Sequence, residues 1–202
     1  MFSVSIGGCD VDIVPIVKGL ISEKDKIVSA LSSKDYECTA VALGIEDIEA
    51  LRRRDEIEGE PEPSDLDSVY SYILKDIGPI NLPDPSFTYL VDECTRRDIP
   101  IIPLDMTDEE YSKVYCETVS TLEFLKEKRI IKKAMRTEFD TSTPERFAEQ
   151  WDALLNEIKG YRCMSVYREN YMAEQLKDIS RYRKNVLAVI EHERCAGILE
   201  RL

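Results

Sequence analysis

Four short runs of β-branched and apolar residues, separated by stretches of helical periodicity, constrain this chain more than any other feature. The runs are Phe2 to Ile6, Cys38 to Leu43, Ile99 to Leu104 and Val186 to Ile190. Runs of this kind predict strands, and strands alternating with helices predict an α/β fold: a mainly parallel central sheet flanked by helices.

The intervening stretches read as helices. Val11, Val14, Val17, Leu20 and Ile21 recur at helical spacing; Ile27, Val28 and Leu31 continue that helix or follow a break near Ser22. Ile45, Ile48 and Leu51 begin another. The prolines and acids from Glu58 to Asp65 predict an exposed loop, after which Ser64 or Asp65 caps a helix carrying Leu66, Val69, Tyr70, Ile73 and Ile77. Ser86 is expected to cap a helix to about Arg97. Thr107-Asp108-Glu109-Glu110 is a capping box that opens the expected longest helix, to about Arg136. Thr143-Pro144 starts another helix, ended at Gly160, and a last one from about Val166 to Ser180 leads into the final strand. The chain is thus expected to be a single α/β domain, 1–202, with a predominantly helical crossover at 107–184.

The net charge of −13 repels phosphate backbones and argues against nucleic acid as a partner. Two basic runs, Arg52 to Arg54 and Lys126 to Arg136, read as helix ends. No apolar run approaches the roughly 20 residues of a membrane span. Phe2 to Ile6 lacks the basic flank and apolar length of a signal peptide. Six scattered cysteines, without C-x-x-C pairs, suit free thiols. A cytoplasmic protein without membrane partner is expected.

Ligands of open parallel sheets bind outside the carboxyl ends of the strands. That rule selects Gly7-Gly8-Cys9-Asp10, Gly44-Ile45-Glu46-Asp47, Asp105 and Glu191-His192-Glu193-Arg194. Asp10, Asp105, Glu191 and Arg194 are the candidate catalytic residues; Arg168 joins them only through a resemblance to a known family. Gly7, Gly8, Glu46, Asp47 and Glu193 are the candidate ligand-binding residues. Gly7-Gly8 before a helix would offer backbone N–H groups to a phosphate, although no G-x-G-x-x-G or P-loop pattern supports it. Cys9 at a helix start and His192, the only histidine, form a weaker nucleophile–base alternative.

The order of these segments resembles the TraB/PrgY pheromone-shutdown family and its Tiki, erythromycin esterase and ChaN-like relatives. Gly7 to Asp10 stands where that family has G-T-x-H, and Val41 to Asp47 where it has V-x-x-E-L. Pro100 to Asp105 is similar to P-I-x-L-x-D, Tyr167 to Ala173 to E-R-x-x-x-M-A, and Val189 to Ile198 to V-V-G-x-G-H-x-x-G-I. The family's site histidines fall on Asp10 and Arg194, the acid of its E-R pair on Tyr167, and the glycines of G-x-G on Glu191 and Glu193. The resemblance therefore implies the family's fold with a rewritten polar site, no resident cofactor or metal, and a role in binding a small molecule, a peptide or a protein partner. The alternatives are a Mg²⁺- or Mn²⁺-dependent hydrolase using Asp10, Asp105, Glu191, Glu193 and Arg194, with Arg168 or Arg194 stabilising developing negative charge, and a homodimer or other oligomer built through helical aromatics such as Tyr111, Tyr115 and Trp151.

Overall fold

The computed structural model describes residues 1–56 and 63–202, so positions 58–62 of the proline-rich loop lie outside the described residues. Five strands form one sheet: β1 (Phe2–Ile6), β2 (Cys9–Ile16), β3 (Cys38–Val41), β4 (Ile101–Pro103) and β5 (Asn185–Glu191), in the order β1-β2-β5-β3-β4. Strands β2, β5, β3 and β4 are mutually parallel; β1 alone is antiparallel, paired with β2. The helices are α1 (Lys24–Ser33), α2 (Ile45–Arg52), α3 (Asp65–Leu74), α4 (Pro85–Arg97), α5 (Asp108–Thr118), α6 (Thr121–Phe124), α7 (Glu127–Ala134), α8 (Pro144–Leu155), α9 (Lys159–Ser180) and α10 (His192–Leu199). No helix among the described residues is long and apolar enough to cross a membrane. The α/β class expected from the alternating pattern is the observed one.

The first correction concerns residues 9–16, which form a strand rather than a helix. Val11, Ile13, Val14 and Ile16 are all at most 1 % exposed, because β2 lies between β1 and β5 with both faces covered. A strand buried on both faces is apolar at nearly every position, and its spacing then also satisfies a helical template. Gly7 and Gly8 close the β1–β2 hairpin, with φ of +57° and +91°. Two consecutive positive φ values are what a two-residue type I′ turn needs, and Gly-Gly meets that need. The polar Asp12 is tolerated inside β2 because Ser3, Lys34 and Tyr36 all donate to its carboxylate, the latter two at 2.9 Å. Burial alone would raise this carboxyl, but those donors hold it below the usual range.

The long helix expected from Thr107 is instead α5, α6 and α7. A second capping box interrupts it: Ser120 Oγ accepts from the Glu123 N–H at 3.3 Å, and Glu123 Oε2 accepts from the Ser120 N–H at 3.0 Å. Gly160 does not end a helix but sits in the first turn of α9. A Cβ there would lie 2.9 Å from the Thr118 carbonyl oxygen, so glycine permits a close approach of α9 to the end of α5. Asp84 rather than Ser86 caps α4, accepting from the Ser86 and Phe87 N–H groups at 2.9 Å each.

Apolar side chains fill both faces of the sheet. Met172, Ala173 and Leu176 of α9 and Ile198 of α10 cover one face, packing on Val11, Ala40 and Ala188. Ile27 and Leu31 of α1 and Phe87, Leu90 and Val91 of α4 cover the other. A third cluster joins α3, α7 and α8 around Phe147, Trp151 and Leu74, with Tyr70 5.2 Å from Phe147 and 5.4 Å from Trp151, centroid to centroid.

Candidate functional site

The hairpin reverses the placement of the first candidate segment. Because β1 runs against the other four strands, its carboxyl end lies at their amino edge. Asp10 pairs with Asn185 at the start of β5, whereas Ile16 pairs with Glu191 at its end. Cys9 and His192 are thus separated by the length of β2, about 20 Å at roughly 3.3 Å per residue, and cannot act as a pair. Burial also pushes the Cys9 thiol up, away from a reactive thiolate. His192 Nε2 instead meets Glu149 Oε1 at 2.9 Å. Gly7, Gly8, Cys9 and Asp10 are accordingly removed from any site at the carboxyl edge.

The segment that does leave β2 at that edge is Val17-Lys18-Gly19. Lys18 was missed as a site residue because the apolar run before it was read as a helix. Its Nζ lies 3.7 Å from Glu191 Oε1, at the end of β5. Arg168, projecting from α9, reaches Asp105 beyond β4 through both Nε (2.8 Å) and Nη2. The same Nη2 lies 3.4 Å from Glu191 Oε1. Lys18, Arg168 and Asp105, from three other parts of the chain, therefore gather around Glu191, whose side chain is 3 % exposed.

Around this centre stand three further carboxylates. Asp84 accepts from the Gly19 N–H at 2.6 Å as well as from its own helix end. Asp47, in the first turn of α2, turns back to the Gly44 N–H at 3.3 Å, and both it and Glu46 beside it are exposed. Glu193, in the first turn of α10, has no ion-pair or side-chain hydrogen-bond partner among the described residues. Tyr70 closes one side by donating its hydroxyl to the Lys18 carbonyl at 3.1 Å. Lys18 keeps 47 % of its side-chain surface open, so the cluster reaches solvent there.

The electrostatics follow from burial and proximity. Burial pushes the Glu191 carboxyl up, but Arg168 and Lys18 outweigh it and hold the group below the ordinary range. Glu193, half-buried next to the ionised Glu191 and without a cation of its own, is pushed up to about 7, burial being the larger cause. Burial would lower the Lys18 ammonium, but Glu191 and the other acids keep it raised. A carboxyl that changes charge near neutrality, one shell away from a fixed carboxylate and two cations, is the pattern by which polar clefts are tuned. One oxygen, Glu191 Oε2, is buried without a hydrogen-bond partner.

Arg194 points elsewhere. It is 5 % exposed and bridges α10 to α8 and α9 through Asp152 and Glu169, the latter at 3.0 Å. Gly197, one turn on, faces the Glu169 carboxylate. Arg194 is a packing residue, not a member of the cluster. The basic runs are also accounted for as surface: Arg54 forms a double hydrogen bond to Asp92 (2.7 and 2.9 Å), and Lys133 meets Glu157 at 2.6 Å. Two shallow depressions of about 260 and 400 Å³ share no lining residue with the cluster.

The metal-hydrolase alternative required Asp10, Asp105, Glu191 and Glu193 to converge. Asp10 is at the opposite edge, and the Arg168 guanidinium already stands between Asp105 and Glu191. Among the described residues no group of three or more His, Cys, Asp or Glu side chains is arranged to hold a metal ion. The donor set does not fit a divalent cation. Comparison with protein-family models, with curated proteins and with solved structures finds no match to this chain.

Proposed function

We propose that the chain is a binding protein on an α/β frame, and that its ligand is a small polar molecule held at the sheet edge by Lys18, Asp105, Arg168, Glu191 and Glu193. The observation that carries this reading is the convergence of Lys18, Arg168, Asp105 and Glu191 at the carboxyl edge of the parallel strands, where the Lys18 side chain stays 47 % open.

We read the chain as a divergent relative of the TraB/PrgY family. What supports this is spatial: the segments 100–105, 167–173 and 189–198 on which the resemblance rests all contribute to the same edge of the sheet, as Asp105, Arg168 and Glu191. The first segment of the resemblance does not. Its counterpart at this edge is Lys18-Gly19, following β2. The family's histidine positions fall here on Asp10 and Arg194, and neither joins that edge.

The test is differential stabilisation. A ligand at a hundred times its Kd adds about 2.7 kcal/mol to stability. A panel of amines, amino acids, carboxylates and phosphate esters is screened by thermal shift on the wild type and on Lys18→Ala. At least one compound should raise the melting temperature of the wild type and not of the variant. Equal shifts in both proteins, or none across the panel, would reject the sheet edge as a binding site.

A further inference from the structure

We infer that the outer face of residues 121–136 is a docking surface for an anionic membrane. That segment carries six of the chain's 27 cations and two of its 40 acids, so it is net positive in a chain of net charge −13. Both acids are already engaged. Glu123 accepts from the Ser120 and Gly160 N–H groups at 3.0 and 2.9 Å, and Glu127 accepts from the Tyr161 hydroxyl. Of the cations, Lys133 meets Glu157. Lys126, Lys128, Arg129, Lys132 and Arg136 are all exposed, and among the described residues no carboxylate forms an ion pair with any of them. Helical phase decides where they point. Leu125 and Lys126, between α6 and α7, keep right-handed helical backbone angles, so the two helices share one phase. Ile130 and Ala134 turn inward and pack in the cluster around Phe147 and Leu74. At about 100° per residue, Leu125, Arg129, Lys132 and Arg136 form one row on the opposite side. Arg129, Lys132, Lys133 and Arg136 line a shallow depression of about 400 Å³. At the two ends of this basic face, Leu122, Phe124, Leu125 and Met135 leave 73, 54, 59 and 72 % of their surface exposed.

A partner that fits this face has to neutralise cations and take up apolar side chains together. An anionic lipid surface does both: its headgroups meet the row of cations, while Leu122, Phe124 and Leu125 enter the boundary between headgroups and acyl chains. A nucleic-acid backbone would meet the cations alone and leave the leucines in water. A second copy docking by a twofold axis would set cations against cations, because a closed dimer uses the same patch on both subunits. Acids elsewhere on the chain oppose the contact weakly, since salt screens exposed charges beyond about 8–10 Å. A contact of this kind needs no spanning helix, and it runs against the expectation that the chain has no membrane partner. It is also separate from the sheet-edge cluster, which shares no residue with the basic depression.

The experiment sediments the full chain with vesicles of phosphatidylcholine alone and of phosphatidylcholine mixed equally with phosphatidylserine. At about 0.1 M salt the protein should partition onto the mixed vesicles and stay in solution with the neutral ones. Raising the salt to about 1 M, where the screening length is about 3 Å, should weaken partitioning by about tenfold or more. Arg129→Gln combined with Lys132→Gln should weaken it about 25-fold, at about fivefold for each cation near an anionic surface. Leu125→Ser should weaken it about fivefold by removing an inserted side chain. These side chains are exposed, so each variant should keep the cooperative unfolding of the wild type. Arg52→Gln combined with Arg53→Gln removes the same charge from the other basic run and should leave partitioning unchanged. Failure to partition onto the mixed vesicles would overturn the proposal. So would equal partitioning of the wild type and the Arg129→Gln, Lys132→Gln variant, or an equal loss in the Arg52→Gln, Arg53→Gln variant. Retention on duplex DNA or on polyglutamate through Arg129 and Lys132, without retention on the vesicles, would also overturn it and make the partner a nucleic acid or an acidic protein.

Discussion

Glu193→Gln is the sharpest test of the electrostatics in the unliganded protein. The carboxyl rises from an ordinary 4.5 to about 7 in the fold, first through burial and then through the neighbouring Glu191. A folded-state value above the unfolded one means that the native protein holds a proton that the unfolded chain has released. Stability from this group is therefore complete at low pH and declines as pH rises from about 4.5 through 7. At about 1.36 kcal/mol per unit, the full shift corresponds to a ceiling of about 3 kcal/mol. The cluster is open to water at Lys18, and solvent screening reduces the realised effect to about 1–2 kcal/mol. Glutamine keeps the shape and removes the titration. Denaturant unfolding of both proteins at about pH 5, 6, 7 and 8 yields the difference in stability at each pH, in which most other carboxyls cancel. Glu191, held below its ordinary range, stays ionised throughout that interval. The difference should move in favour of the variant by about 1–2 kcal/mol between the lowest and the highest pH. A difference that does not change with pH, or one that moves toward the wild type, would show that Glu193 does not carry the charge strain assigned to it.

Three further outcomes test the architecture. Arg168→Met leaves Asp105 and Glu191 without their shared cation and should cost about 3 kcal/mol in urea unfolding; a loss below about 1 kcal/mol would mean the bridge is not formed. Gly44→Ala puts a Cβ 2.6 Å from the Met106 carbonyl oxygen and should cost about 1–3 kcal/mol, because the obstacle is backbone and cannot rotate away. Of the six thiols, Cys116 and Cys163 are exposed and should react rapidly with Ellman's reagent in the native state. Cys9, Cys38, Cys94 and Cys195 are buried with raised values, Cys195 to about 12 largely through burial, and should react only on unfolding; rapid labelling of Cys9 would contradict the hairpin that buries it.

The strands of the central sheet were legible where helices flanked them clearly, and the start of α8 was legible to the residue because Thr143 and Pro144 combine a cap with a first-turn proline, although its end at Leu155 was not. β2 was not legible, since burial on both faces removes the polar alternation that distinguishes a strand from a helix. That single ambiguity carried the largest consequence. With residues 9–16 read as a helix, Gly7-Gly8 became a phosphate loop and Asp10 a site residue; with β2 in place, the same glycines are a hairpin turn at the far edge. The local signal was present, for Gly-Gly between two apolar runs is a hairpin pattern. The rest of the cluster shows the opposite behaviour. Asp105, Glu191 and Glu193 were found by the rule that parallel strands present ligands at their carboxyl ends, and that rule needs only strand direction. Arg168 came from the family resemblance alone, since nothing in the spacing of α9 separates it from its neighbours Arg162 and Lys177. Arg194 shows the limit of position-by-position transfer: it occupies a family histidine's place in the sequence, yet α10 begins at His192, and the helical turn carries residue 194 toward α8 and α9 while 193 stays beside the sheet edge. A strand's direction decides which edge a residue reaches, but once the chain enters a helix, one residue is about 100° of rotation. The polar cluster is therefore set by where β5 stops and α10 starts, and a shift of that junction by one residue would exchange the roles of Glu193 and Arg194.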